Sequence, residues 1–154
     1  MASHVRTIMG KVILAFQAIN GAGSYSYDFS TTGRVQIGMP TEADGHDIMM
    51  WLDIADISSE HGPELGGFKR TLTIDVMARA KTNSRSEAEQ VLDASDLANE
   101  MVIAIEADRG LGGNVNDLIY RTTPLSGSAL GFPDRLVVLG EIVITWWANS
   151  GVGI

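Results

Sequence analysis

The chain has 154 residues and a formal net charge of −8, from 11 Lys plus Arg against 19 Asp plus Glu. That length fits one domain, residues 1–154, able to bury roughly 70% of the surface its unfolded chain exposes, and a 45% hydrophobic content argues against disorder. The absence of cysteine excludes a disulfide framework, thiolate metal sites and a catalytic Cys, while residues 35–68 hold no Lys or Arg but do hold Glu42, Asp44, Asp47, Asp53, Asp56, Glu60 and Glu64, a poor surface for gripping duplex phosphates.

From Ser3 to Asn20 the apolar residues Val5, Ile8, Met9, Val12, Ile13, Phe16 and Ile19 follow the spacing of one helix face. Ser3 is a fitting N-cap, and Asn20-Gly21 with Gly23 is a stop signal. Residues 24–39 read as extended, with Tyr25, Tyr27 and Phe29 alternating with polar residues and Val35 and Ile37 continuing the pattern. Residues 40–47 read as loop. Residues 48–57 read as a strand with Ile48, Met50, Leu52 and Ile54 on one face and Met49, Trp51, Asp53 and Ala55 on the other. Asp53 and Asp56, three apart, should then face opposite ways. The polar stretch 58–67, with three Gly and Pro63, reads as a loop.

Residues 68–81 alternate most clearly and predict a long, half-exposed antiparallel strand, with Arg70 and Met77 as exceptions to the pattern. A second helix is expected over about 86–109. Ser86 and Glu89 form a capping box, Ala88, Val91, Leu92, Ser95, Ala98, Val102 and Ile105 an apolar stripe, and Met101 and Leu97 widen it. Glu87, Glu89, Asp93, Asp96, Glu100, Glu106 and Asp108 occupy the rest. Residues 110–113 read as a glycine-rich turn, 115–122 as a short strand and 124–133 as a loop. Residues 136–148 read as a strand with Ile142, Ile144 and Trp146 on one face and Val143 and Trp147 on the other, and 149–154 as a short tail. Strands in runs, rather than alternating with helices, predict an α+β fold: a mostly antiparallel sheet with two amphipathic helices packed on one face.

No motif for catalysis stands out. His61 with Glu60 and Glu64 could hold a divalent metal, but these residues fall in a polar stretch without a rigid frame. Leu125-Ser126-Gly127-Ser128 lacks the glycine spacing of a nucleophile elbow. Gly110-Leu111-Gly112-Gly113 follows a helix instead of opening one, so it reads as a C-cap and not a phosphate cradle. The final strand is apolar on both faces, and two helices cover one sheet face, so Trp51, Val143 and Trp147 are candidates for a subunit interface. The strongest apolar run, interrupted by Glu141, is too short for the ~20 residues of a spanning helix. The N-terminus lacks a signal-peptide pattern. A soluble, intracellular protein is expected.

The element order resembles the tail terminator, or tail-to-head joining, proteins of long-tailed phages. The matching parts are the N-terminal helix Val5 to Ile19, the strand TLTIDVMARAK (Thr71 to Lys81), the helix SRSEAEQVLDASDLANEMVIAIEAD (Ser84 to Asp108) and the aromatic final strand LVVLGEIVITWW (Leu136 to Trp147). The resemblance covers nearly the whole chain and rests on order and texture, not on a catalytic signature. It implies a structural virion protein without catalysis or cofactor. Such proteins form a six-membered ring on the head-proximal end of the tail tube, end its polymerisation and dock to the head connector. The implied partners are the chain itself, the tail tube protein and the connector, with DNA passing through unbound. The implied location is the virion neck, after assembly in the host cytoplasm. Loop residues expected to take part in assembly are Glu42, Asp44, His46, Glu60, His61, Glu64, Phe132 and Asp134. Acids expected to face the channel are Asp53, Asp56, Asp93, Asp96 and Glu100. Competing readings are a neck or head-completion protein, a small metal-dependent enzyme and a monomeric ligand-binding domain.

Overall fold

The computed structural model describes residues 3–31, 33–38, 47–61, 67–83, 86–131 and 134–149. Helix α1 (His4–Gln17) starts at the expected cap: Ser3 is extended and its hydroxyl accepts from the Arg6 N–H, an arrangement that contributes about 1 kcal/mol. Val5, Ile8, Met9, Val12 and Phe16 are buried on one face. Helix α2 (Glu87–Glu106) is capped the same way, the Ser86 hydroxyl accepting from the Glu89 N–H at 3.1 Å.

Five strands make one sheet: β1 (Val35–Ile37), β2 (Ile48–His61), β3 (Gly67–Lys81), β4 (Asp117–Ser126) and β5 (Arg135–Asn149), ordered β1-β2-β3-β5-β4. Every pairing is antiparallel except β1 with β2. The fold is α+β with a mostly antiparallel sheet. Leu72, Ile74, Val76, Ala78 and Ala80 of β3 and Leu136, Val138, Ile142, Ile144 and Trp146 of β5 are buried on the face that the helices cover. α2 lies over β4 and β5, and α1 packs beside it toward β1. The ring of His4 rests 5.1 Å from that of Trp146, and its Nε2 is 2.7 Å from the Asn114 carbonyl oxygen. Tyr120 edges onto Phe16 and lies over Gly140, where a side chain would collide with the phenol ring.

The structure departs from the sequence pattern at five places. Residues 24–31 are not a strand. Asn20 and Asp28 form an isolated bridge, and the Ser26 and Tyr27 N–H groups donate to the Glu100 carboxylate at 2.5 and 3.2 Å. A side chain therefore satisfies backbone donors that a neighbouring strand would otherwise take. Ser58 to His61 are not loop: they extend β2 to the end of a long hairpin, pairing Ser58 with Thr71 and His61 with Phe68. β4 runs through Pro124 to Ser126 before a short 3₁₀ turn (Gly127–Leu130). It tolerates proline because it is an edge strand.

The buried face of α2 is rotated from the apolar stripe. Leu92 is 64% exposed, whereas Gln90 and Glu100 are buried beside Ala94, Leu97 and Met101. Both polar groups have partners, since Gln90 Oε1 accepts from the Ser126 and Ser128 hydroxyls at 2.6 and 3.2 Å. Finally, the register between β2 and β3 shifts between Ile54 and Asp56. This bulge at Ala55 gives β2 one extra residue, so Asp53 and Asp56 oppose Asp75 and Thr73 and share a face instead of opposing each other.

Candidate functional site

The face of the sheet away from the helices is the candidate site. Cross-strand partners share a face, so the registers assign its rows. One row runs Asp53, Asp75, Glu141, Arg121 across β2, β3, β5 and β4. Three carboxylates thus stand directly opposite one another, a destabilising arrangement unless a cation or water screens it. Among the described residues, no cation lies within ion-pair distance of these three acids.

Apolar rows flank the acids. On one side lie Trp51, Met77 and Leu139, with Gln36 and Thr123 at the ends. On the other side Asp56 and Thr73 lead to Val143 and Ile119. A groove of about 320 Å³ runs between, lined by Trp51, Asp53, Asp75, Met77 and Leu139. Farther along, Glu60 pairs with Lys69 at 3.5 Å, and Trp147 lies beside Lys69 on this face. Trp147 is 49% exposed, Ile119 43% and Leu139 38%. This surface combines fixed negative charge with apolar contact area. Fixed negative charge disfavours phosphate, and exposed apolar area favours apolar contact.

Of the residues singled out in the sequence, Trp147 and Val143 lie on this face and leave area for contact. Trp51 is on the same face but already covered by its own chain at 2% exposure, with the Arg79 guanidinium 5.1 Å above its ring. Its candidacy as a subunit contact is corrected accordingly.

Asp53 and Asp56 belong to the open face. Asp93, Asp96 and Glu100 do not: they sit on α2, across the sheet, so no single channel wall holds both groups. Glu100 is also only 5% exposed and holds the 26–27 backbone, while Asp93 accepts from the Thr82 hydroxyl at 3.0 Å. Tyr27 donates to the Asp93 carbonyl, and its phenol is pushed up to about 12 by burial and by the charges of Asp93 and Glu100.

Glu60 and His61 are strand residues at the hairpin end, where the His61 ring packs 4.6 Å from that of Phe68. Asp134 is exposed near Arg135, and its carbonyl accepts from the Thr82 N–H at 3.0 Å. Glu42, Asp44, His46, Glu64 and Phe132 lie outside the described residues. The pattern reading missed Asp75 and Glu141. Without the register nothing in the sequence aligns either with Asp53.

The glycine-rich turn is filled from within, since Asp108 accepts from the Gly112 N–H at 2.7 Å. Ser126 is committed to Gln90 and to capping the 3₁₀ turn. Among the described residues, no group of three or more potential ligands converges to hold a metal, and no helix is long and apolar enough to cross a membrane. Neither the comparison with protein-family models nor that with curated proteins finds a match for this chain.

Proposed function

We propose that the chain is a ring-forming virion protein of the tail-terminator type. In this reading the ring caps the head-proximal end of a phage tail tube, stops further tube subunits from adding and joins the tail to the head connector. The observation that carries the reading is the sheet face away from the two helices, with the exposed Asp75 and Glu141 and the neighbouring Asp53 in a row at its centre. A ring that turns these faces inward lines its channel with carboxylates. Their repulsion of phosphate, effective over a Debye length of about 8 Å at physiological salt, keeps passing DNA from sticking. The copies meet through heterologous contacts that close by rotation, and no catalytic step is needed.

The test combines purified chain with polymerising tail tube protein. Negative-stain images should show rings of about six subunits and tubes of arrested length. A strict monomer that leaves tube growth unaltered would refute the proposal. The channel role has its own test, in particles carrying Asp53→Asn, Asp75→Asn and Glu141→Gln together. Assembly should be normal and DNA ejection slower; unchanged ejection would remove that role.

A further inference from the structure

Among the described residues the sheet ends in two open edges. β1 pairs with β2 over Met50 to Leu52, and among the described residues no strand pairs with β2 from Asp53 to His61 on that side. At the opposite end, β4 pairs with β5 on one side and is the last strand on the other. Unpaired edges of this length are templates for another strand. Pro124 blunts the far end of β4, and the Ala55 bulge interrupts β2, so the uninterrupted lengths are Asp56–His61 and Asp117–Thr123.

We infer that copies of this chain join by sheet extension, the outer edge of β4 in one copy pairing antiparallel with the Asp56–His61 edge of β2 in the next. Three observations commit the edge to a second copy. The first is direction. β2, β3, β5 and β4 alternate, so β4 runs opposite to β2, and a neighbour placed without flipping presents the antiparallel mate with its open face on the same side. The second is charge. The β2 edge carries Asp53 and Asp56 with no ion-pair partner among the described residues, and Glu60 already paired with Lys69, whereas β4 exposes Arg121 on the same face. Extension seats that guanidinium among the neighbour's carboxylates. The third is exposed apolar area at each edge, Ile54 and Ile57 on the helix side of one and Ile119 on the open face of the other, all 38–45% exposed and so each left for a neighbour to cover from its own side. The contact joins two different surfaces, so it propagates around a ring instead of ending at a dimer. This inference rests on the ring proposal and names the surface that closes it.

The chain contains no cysteine, which makes cross-linking clean. Asp56→Cys and Ile119→Cys place single thiols on the open face of the two edges, and Ser58→Cys and Asp117→Cys extend the register scan. Opposed residues of an antiparallel pair lie about 4.5–5.5 Å apart, within disulfide reach. Each variant is checked for folding by circular dichroism, then oxidised alone and in β2/β4 mixtures. Disulfide-linked dimers are expected in one mixture and not in either variant alone. A variant carrying both thiols should give a ladder up to the closed ring. Equal cross-linking within a single variant overturns the inference in favour of a two-fold dimer. Rings in micrographs without cross-links at any register overturn the edge contact and leave the ring. A cross-link that forms only with tail tube protein assigns the edge to that partner and overturns self-pairing. Monomers by light scattering at all concentrations overturn both the inference and the ring.

Discussion

Replacing Glu100 by alanine tests whether one side chain fixes the path of the 24–31 segment. Its carboxylate is 5% exposed, and Oε1 accepts from both the Ser26 and the Tyr27 N–H. Two hydrogen bonds to a charged acceptor contribute at most about 3–6 kcal/mol. Two effects reduce this. Ser26 is exposed, so water reaches its N–H once the carboxylate is gone. Removing the carboxylate also removes the cost of keeping it buried. The expected loss is about 2–3 kcal/mol, a fall in Tm of roughly 4–12 °C for a domain of this size. Glu100→Gln retains an oxygen in the accepting position and should lose about 1 kcal/mol, the charge-assisted part of the bonds. Urea unfolding of the three proteins measures the differences, and amide exchange at Ser26 and Tyr27 locates them. An alanine variant within about 0.5 kcal/mol of the parent, or a glutamine variant as damaged as the alanine one, would refute the reasoning.

Gly140→Ala should destabilise by about 1–3 kcal/mol, because its Cβ would lie 3.0 Å from the Tyr120 ring and 3.2 Å from the Arg121 carbonyl; an unchanged Tm would show the site to be roomier than described. Tyr120→Phe removes a buried hydroxyl without a hydrogen-bond partner, so it should be neutral or slightly stabilising and should partly rescue Gly140→Ala; a loss above about 1 kcal/mol would mean that the hydroxyl has a partner. Tyr27 is raised from 10.0 to about 12 and Tyr120 is raised by burial. Above about pH 10 the unfolded chain therefore releases phenolic protons that the folded chain keeps, and stability, complete below that pH, falls as pH rises toward about 12. Tyr27→Phe should make the decline in urea midpoint shallower, and parallel declines would contradict this. Asp75→Asn removes the middle charge of the acidic row and should stabilise by about 0.2–1 kcal/mol at low salt, with the gain shrinking near about 1 M salt; destabilisation would mean that the row is held by favourable contacts.

The strong periodicities were legible in the sequence. Alternation in β3 and β5 assigned Trp146 to the core and Trp147 to the other face, and Ser3 and Ser86 marked both helix starts. The misread parts share one cause, polar groups whose partners are distant in sequence. Glu100 and Gln90 look like solvated helix residues until the 26–27 backbone and Ser126 meet them. Turn composition masked strand at Ser58–His61 and Thr123–Ser126, where pairing with β3 and β5 outweighs local preference. The acidic row was invisible for the same reason: Asp53, Asp75 and Glu141 become neighbours only through register.

The bulge at Ala55 has a consequence for how this surface can change. It shifts the inside–outside frame of everything from Asp56 to His61. Deleting that one alanine would bring Asp56 directly after Ile54 and remove the bulge, leaving Asp56, Ser58 and Glu60 on the open face opposite the same β3 partners, whereas pairing Ala55 regularly with Thr73 would turn them toward the helix side and bring Ile57, Ser59 and His61 onto the open face. Ironing out the bulge with the sequence unchanged would thus exchange a hydrophilic, anionic strip for one led by isoleucine. Whether Ala55 bulges or pairs therefore decides which strip of the arm is presented outward.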